Sequence, residues 1–231
     1  MLVVGFPTGS FAANCFVLAP AAGEQCVVVD PGQDAVPALA EVLHEHRLRP
    51  AAVLLTHGHI DHMWSVLPVC NAYDVAAYIH PRDRDRLADP IRTLSPDLVA
   101  ALGLAGVTFT EPDEVRELTD GGVVDAGGLS LIVDHTPGHT EGSVVFRTAE
   151  GGPDGAPLMC AGDLLFAGSI GRSDQIGGDP VAMQVSLAKI LTLPDETVVL
   201  PGHGGSTTIG RERATNPHLR GLAGARARGG L

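Results

Sequence analysis

The chain has 231 residues, is 45% hydrophobic and carries a formal net charge of −12 at pH 7. This length and composition predict one large domain, or two small ones, with an apolar core, and they exclude a largely disordered chain. The acidic balance, which no basic cluster interrupts, argues against a protein that binds nucleic-acid phosphates.

The sequence also gives expectations about the cellular location. No apolar run is long enough to span a bilayer, and the first residues lack the basic segment and long apolar core of a signal peptide. The four cysteines, Cys15, Cys26, Cys70 and Cys160, form no C-x-x-C pair and mostly lie in apolar runs. Such cysteines are expected to be buried, reduced thiols. We therefore predict a cytoplasmic protein that does not associate with membranes.

Apolar runs and breakers along the chain predict a mixed α/β fold. Strands are expected at 11–18, 26–30, 51–55, 75–79, 123–126, 129–133, 143–148, 158–162 and 197–200. Helices are expected over 34–46, from a histidine-rich turn to about 73, and over 180–191. Gly127-Gly128 predicts a hairpin turn, and Asp179 is placed to cap the last helix.

Two stretches are less regular. Residues 83–114 combine short helical patches with three prolines, which fits a mobile lid and plain connecting structure equally well. Residues 221–231 are rich in Gly, Ala and Arg and are expected to form a flexible tail, which leaves 1–220 as the folded domain.

The most informative stretch is Thr56-His57-Gly58-His59-Ile60-Asp61-His62, which directly follows the buried strand at 51–55. In extended backbone, His57 and His59 project to the same side. Asp61 and His62 follow where a helix is expected to begin, so they can point in another direction. Imidazole and carboxylate are the ligands that zinc and related divalent ions prefer. The stretch therefore predicts a metal site, and the two directions favour a pair of sites.

The same arrangement occurs three more times along the chain. Predicted buried strands lead into His139, Asp163 and His203, each held by neighbouring glycine or proline. Strand ends converge when the strands share a sheet, and loops at such ends are the usual seat of chemistry. His80 also ends a strand, just before Pro81, but we expect a structural role for it.

These motifs, in this order, resemble the metallo-β-lactamase-fold hydrolases, and most closely the glyoxalase II-like (hydroxyacylglutathione hydrolase-like) branch. The resemblance covers nearly the whole chain and implies an αβ/βα four-layer sandwich over 1–220, with the site along one edge of two packed sheets. It also implies which residues bind metal. One ion would be held by His57, His59 and His139, and the other by Asp61, His62 and His203, with Asp163 bridging both.

A pair of divalent cations can lower the pKa of a shared water toward ~7 and so supply hydroxide at neutral pH. That hydroxide would attack a carbonyl, and Asp61 could both ligate a metal and orient the nucleophile. A thiolate leaving group suits such a centre, because the pKa of a thiol is only ~8.5. The leading hypothesis is therefore a thioesterase for small S-(hydroxy)acyl thiol esters. We expect Zn²⁺, and the ligand types also permit Fe²⁺ or Mn²⁺.

The loop after Asp163 bears on the identity of the thiol. In glyoxalase II enzymes the matching loop carries a lysine and then a tyrosine that hold glutathione. Here Arg172 stands near the lysine position, and Ser173 and Asp174 follow instead of a tyrosine. Arg172 could bind a substrate carboxylate through its planar guanidinium group, or pair structurally with Asp174 or Asp179. The resemblance therefore leaves the thiol carrier open between glutathione and another small thiol.

Other functions remain possible on the same pattern. A persulfide dioxygenase of this fold would bind one iron through His57, His139 and Asp163 and would need an open coordination face for oxygen. Lactonase or β-lactamase activity could use the same hydroxide. A non-catalytic metal-binding or scaffold protein would require a metal centre that is closed to solvent. The sequence does not predict the oligomeric state.

Overall fold

Two six-stranded β-sheets form the centre of the fold in a computed structural model, which describes residues 1–148, 151–152, 155–220 and 222. The expected tail from Gly221 lies outside the described residues except for Leu222. The sheets pack face to face, and helices cover both outer faces. The predicted αβ/βα four-layer sandwich is therefore confirmed.

The strands are, in chain order, β1 Leu2–Thr8, β2 Ala13–Ala19, β3 Gln25–Val29, β4 Arg49–Leu54, β5 Ala77–Ile79, β6 Val115–Glu117, β7 Val123–Ala126, β8 Leu129–His135, β9 Val144–Thr148, β10 Leu158–Gly162, β11 Leu165–Phe166, β12 Ser169–Ile170, β13 Val198–Pro201 and β14 Thr207–Thr208. The first sheet has the order β1-β2-β3-β4-β5-β6 and the second the order β14-β13-β10-β9-β8-β7. The pair β11-β12 forms a small hairpin outside both sheets.

The helices are α1 Ala35–His46, α2 Ile60–Met63, α3 Val66–Tyr73, α4 Pro96–Ala101, α5 Pro180–Ile190 and α6 Ile209–Thr215. Short 3₁₀ turns occur at Arg84–Leu87 and Pro217–Leu219. In the part of the chain that the structure covers, no helix has the length and apolar character needed to cross a bilayer.

Three apolar layers hold the sandwich together. Between the sheets, Leu54, Leu131 and Phe146 are completely buried. Leu39 of α1 packs on the outer face of the first sheet, and Met183 of α5 packs on that of the second. Burying a side chain of this kind contributes about 1.5–3 kcal/mol. All four cysteines are free and buried, as predicted.

The sequence pattern missed β1, α6 and the short β6. Gly5 and Pro7 interrupt the apolar pattern of β1, although Gly5 is needed there because an added Cβ would lie 2.6 Å from the Phe16 ring. The predicted hairpin is present, and Gly127 and Gly128 adopt the left-handed φ values of 58° and 74° that this turn requires.

The site lies where the ends of β4, β8, β10 and β13 meet at one edge of the sandwich. The backbone N–H of Asn14 donates to the carbonyl of Gly202 at 2.7 Å, and the Asn14 side chain donates to the carbonyl of Pro201 at 2.9 Å. These bonds join the first sheet to the second beside His203 and so fix the relative position of the loops that carry the site.

Candidate metal centre

The turn after β4 divides its four metal-capable side chains between two groups. His59 immediately precedes α2 in extended backbone (ψ 144°), and its side chain joins those of His57 and His139. Asp61 and His62 lie within α2 and join His203. In each group, one possible ligand atom from every residue lies within 4.8 Å of the others. The structure thus brings together the six residues in the two sets that the resemblance implied.

Asp163 lies between the two groups. Its Oδ2 atom is 3.4 Å from Nε2 of His139 and 3.6 Å from Nε2 of His203. Its Oδ1 atom is 3.4 Å from Nε2 of His62. One carboxylate therefore contacts both triads, which is the position expected of a bridging ligand.

In His139 and His62, a hydrogen bond made by Nδ1 on the side away from the centre determines that Nε2 faces the centre. Nδ1 of His139 lies 2.7 Å from the carbonyl oxygen of Arg172, and Nδ1 of His62 lies 3.1 Å from Oδ2 of Asp30. Carbonyl and carboxylate oxygens only accept, so both Nδ1 atoms carry the proton. In the neutral form of each ring, Nε2 is therefore left with a lone pair directed at the centre.

The tautomer of His57 follows from its neighbour Thr56. The Thr56 hydroxyl donates to Asp30 at 2.6 Å and lies 3.0 Å from Nδ1 of His57. Since the hydroxyl proton is already used, Nδ1 of His57 is the donor. Nε2 of His57 and Oδ1 of Asp163 are buried, and neither has a hydrogen-bond partner among the residues that the structure describes. Buried lone pairs that converge without partners fit divalent cations.

The charge balance differs between the triads. Burial and neighbouring imidazoles lower the pKa of His57, and burial and His139 lower the pKa of His59 to about 3. These rings are neutral, which is the form that binds metal. Burial also disfavours a cationic His62, but Asp61 and Asp163 outweigh burial and raise its pKa. This half of the centre thus has excess carboxylate charge that a cation can neutralise.

Two glycines allow the backbone to approach the centre. A Cβ atom added at Gly202 would lie 2.2 Å from Oδ1 of Asp163 and 2.7 Å from the His62 ring. At Gly171 it would lie 1.7 Å from the carbonyl oxygen of Asp163. These glycines follow β13 and β12, and any larger residue would displace Asp163.

The centre opens into a cavity of about 390 Å³, which His59, Asp61, His139, Asp163 and His203 line directly. Part of segment 83–114 covers this cavity through Pro90 and Leu94. This position fits both expectations for the segment, a mobile lid and plain connecting structure. The exposed side chain of Arg172 also lines the cavity and pairs with Asp174 at 3.0 Å.

Three polar residues beside the centre were not predicted as site residues. Asp30 closes the strand predicted at 26–30 and directly follows β3, in the same way that the predicted ligands follow their strands. Asp83 is completely buried and contacts both histidine loops. Gln175 donates to the carbonyl of His139 at 3.2 Å. For Asp83 and Gln175, the local sequence gives no signal.

A four-layer sandwich with a His/Asp centre open to a cavity at its edge defines a class of metal-binding hydrolase folds. A family model described as the metallo-beta-lactamase superfamily matches residues 8–203, and the chain belongs to this superfamily.

Several relatives cover most of the chain. An uncharacterized protein of Mycobacterium tuberculosis is 50% identical over 225 residues, which are 96% of this chain and 100% of the relative. The probable metallo-hydrolase YqgX of Bacillus subtilis is 34% identical, covering 94% and 97% of the two chains. Hydroxyacylglutathione hydrolase GloC of Haemophilus influenzae is 29% identical, covering 92% and 95%.

Solved structures are similar over comparable lengths. The B3 metallo-beta-lactamase BLEG-1 is 36% identical with a TM-score of 0.79, covering 95% of this chain and 100% of that one. The protein TTHA1623, described in a di-iron-bound form, is 36% identical with a TM-score of 0.74, covering 94% and 100%. ETHE1 from Myxococcus xanthus is 23% identical with a TM-score of 0.75, covering 97% and 85%, and shows a likeness of fold alone.

Proposed function

We propose that this chain is a cytoplasmic hydrolase that cleaves small S-(hydroxy)acyl thioesters with two divalent cations, which we expect to be Zn²⁺. The observation that carries the proposal is the position of Asp163, which contacts both triads and lines the open cavity. When bound, the two cations supply a nucleophilic water at neutral pH and stabilise the developing oxyanion. The similarity to GloC, a hydroxyacylglutathione hydrolase, supports this reaction class.

The carboxylates of the centre favour a thiolate leaving group. Burial opposes ionisation of Asp61, but His62 and His203 outweigh burial and lower its pKa. Burial likewise opposes ionisation of Asp163, and His62 outweighs it. Neither carboxyl group therefore carries a proton to donate near neutral pH. A thiolate needs none, since the pKa of a thiol is ~8.5, whereas an amine or alkoxide leaving group requires protonation.

Asp61 has a second role in this proposal. Its carboxylate lies 3.3 Å from Nε2 of His203 and keeps part of its surface exposed to the cavity. One oxygen can hold a metal ion while the other accepts a hydrogen bond from the attacking water. Asp61 thereby orients the nucleophile toward the carbonyl carbon.

The intact second triad argues against the persulfide dioxygenase alternative. That reaction needs one iron and a free coordination face for oxygen. Here Asp61, His62 and His203 form a complete second set of ligands beside the first. Oxygen consumption with glutathione persulfide distinguishes the two reactions.

The experiment uses protein purified without chelator, loaded with Zn²⁺, Fe²⁺ or Mn²⁺ and analysed for bound metal. Release of free thiol from S-lactoyl thioesters is then measured. We expect about two equivalents of metal and metal-dependent turnover. Turnover should be lost in His59→Ala and retained in His44→Ala, which changes an exposed histidine of α1. Wild-type turnover no higher than that of His59→Ala would reject the thioesterase proposal.

A further inference from the structure

The cavity beside the metal centre has predominantly apolar walls away from the ligands. Ile60, Leu94, Leu98, Phe166, Ile170 and Ile176 all line it. Several of these side chains are left partly in water, and Ile176 is 68% exposed. Apolar side chains at the mouth of a pocket are typical of surfaces that bind an apolar part of a ligand.

The charges of the cavity are those of the centre itself, with one exception. Among the described residues that line it, Arg172 is the single Lys or Arg side chain. The Arg172 side chain is 72% exposed, and Asp174 already pairs with its guanidinium group at 3.0 Å. Away from the metal centre, the cavity lining therefore has one basic side chain, Arg172, which lies at the solvent edge and already pairs with Asp174.

We propose that the cavity selects thioesters with an apolar acyl chain and a thiol portion that carries at most one carboxylate. This inference rests on the proposed thioesterase function and specifies its substrate class. It distinguishes the chain from an enzyme for S-lactoylglutathione, since glutathione carries two carboxylates and lactate is a polar hydroxyacid.

The physical reason is the cost of desolvation. Removing a carboxylate from water without a cationic partner has a desolvation free energy far larger than the interaction energy that it gains from the surrounding contacts. Two glutathione carboxylates would share one exposed guanidinium group here, in a chain of net charge −12. An apolar acyl chain placed against Leu94 and Leu98 instead removes apolar surface from water on both sides.

Four thioesters separate the two features of the substrate. Hexanoyl and lactoyl groups are each joined to glutathione and to N-acetylcysteamine, which is uncharged. We expect the metal-loaded protein to hydrolyse hexanoyl-N-acetylcysteamine with a kcat/KM at least about tenfold above that of lactoylglutathione. If lactoylglutathione is the best of the four, the inference is wrong and the thioesterase proposal stands.

A binding measurement makes the inference independent of turnover. The thioethers S-hexyl-N-acetylcysteamine and S-hexylglutathione cannot be hydrolysed, and calorimetry gives their affinities for the metal-loaded protein. Tighter binding of the uncharged thioether supports the inference, even if none of the thioesters is cleaved and the thioesterase proposal fails. Equal or weaker binding of the uncharged thioether, or no binding of either, overturns it.

A pair of variants tests the role of charge at the mouth. Ile176→Arg adds a cation to the cavity lining, whereas Val181→Arg adds one at a position that is 72% exposed and outside the lining. We expect Ile176→Arg to improve the affinity for S-hexylglutathione by about threefold to fivefold, with no such gain in Val181→Arg. If both variants raise the affinity for S-hexylglutathione equally, the gain comes from the net charge of the protein, and the inference is contradicted.

Discussion

The carboxylate of buried Asp83 accepts a hydrogen bond of 2.6 Å from the hydroxyl of Thr140. It also accepts backbone N–H bonds from Gly58 at 2.8 Å and from Gly142 at 3.1 Å. Gly58 belongs to the loop of His57 and His59, and the other two donors follow His139 within its loop between β8 and β9. One carboxylate therefore holds together the two loops that build the first triad.

The substitution Asp83→Ala should destabilise the protein and weaken metal binding at the first triad. It leaves two buried N–H groups without an acceptor and leaves Arg86, which pairs with Asp83 at 3.3 Å, as an uncompensated buried charge. Loss of one partner of a buried pair costs about 3–5 kcal/mol. Urea unfolding gives the change in stability, and competition with a chromophoric chelator gives the change in metal affinity.

The matched control for this variant is Asp85→Ala. Asp85 lies two residues further on and pairs with Arg92 at the surface, where both side chains are exposed. Exposed pairs contribute about 0–1 kcal/mol. Similar destabilisation by the two substitutions would show that Asp83 does not organise the site.

Gly202→Ala should remove metal from the centre while leaving the fold in place. The new Cβ would lie 2.2 Å from Oδ1 of Asp163, so the Asp163 carboxylate has to move. Overpacking of this kind costs about 1–3 kcal/mol. Elemental analysis and circular dichroism together check the prediction. Gly205→Ala is the control because no atom of the described part of the chain lies within 4 Å of its added Cβ. Metal content of Gly202→Ala equal to that of the control would contradict the expectation.

The metal-ligand pattern was predictable because it is local or repeated. His57, His59, Asp61 and His62 lie within six residues, and His139, Asp163 and His203 each follow a recognisable buried strand. The four-layer fold came from the resemblance that these motifs carry. The metal-binding role of each residue stays a prediction, although the structure places all of them together.

The sequence pattern did not predict the role of Asp83 or the strand β1, because both depend on contacts between segments that are distant along the chain. Asp83 bonds to residues 25, 57 and 59 positions away, and nothing in its neighbourhood distinguishes it from the exposed Asp85. Strand β1 was missed because it contains Gly5, which breaks the apolar pattern. The Phe16 ring of the partner strand occupies the space where a Cβ at this position would lie. In both cases the determining neighbour is a tertiary one, which periodicity does not encode.

Thr56→Val should lower metal affinity with little loss of packing. The substitution keeps the volume of the side chain but removes the oxygen that accepts from His57 and donates to Asp30. Loss of such a supporting partner typically costs about 10–100-fold in metal affinity. Chelator competition measures the effect. The control is Thr192→Val, whose exposed hydroxyl donates to the carbonyl of Lys189. An affinity equal to that of the control would show that Thr56 does not orient His57.

His80 provides a prediction about pH that does not involve a metal ligand. Its buried ring stacks on that of His135 with centroids 4.0 Å apart and an interplanar angle of 6°. Burial, and then the neighbouring His135, lower the pKa of His80 from 6.5 to about 4. Between these two values the unfolded chain binds more protons at this position than the native state does. The contribution of neutral His80 to the free energy of unfolding is therefore complete above pH 6.5 and is lost as the pH falls toward 4.

The variant His80→Phe keeps an aromatic ring for stacking but cannot titrate. Its stability should depend less on pH between 4 and 6.5 than that of the wild type, with a slope lower by up to about 1.4 kcal/mol per pH unit. Urea midpoints across this window measure the slope. His44→Phe, at an exposed position of α1, is the matched histidine-to-phenylalanine control. The histidines of the candidate centre are present in all three proteins, so their contribution to the slope cancels. Equal slopes of wild type and His80→Phe would show that His80 is protonated as readily in the folded chain as in the unfolded one.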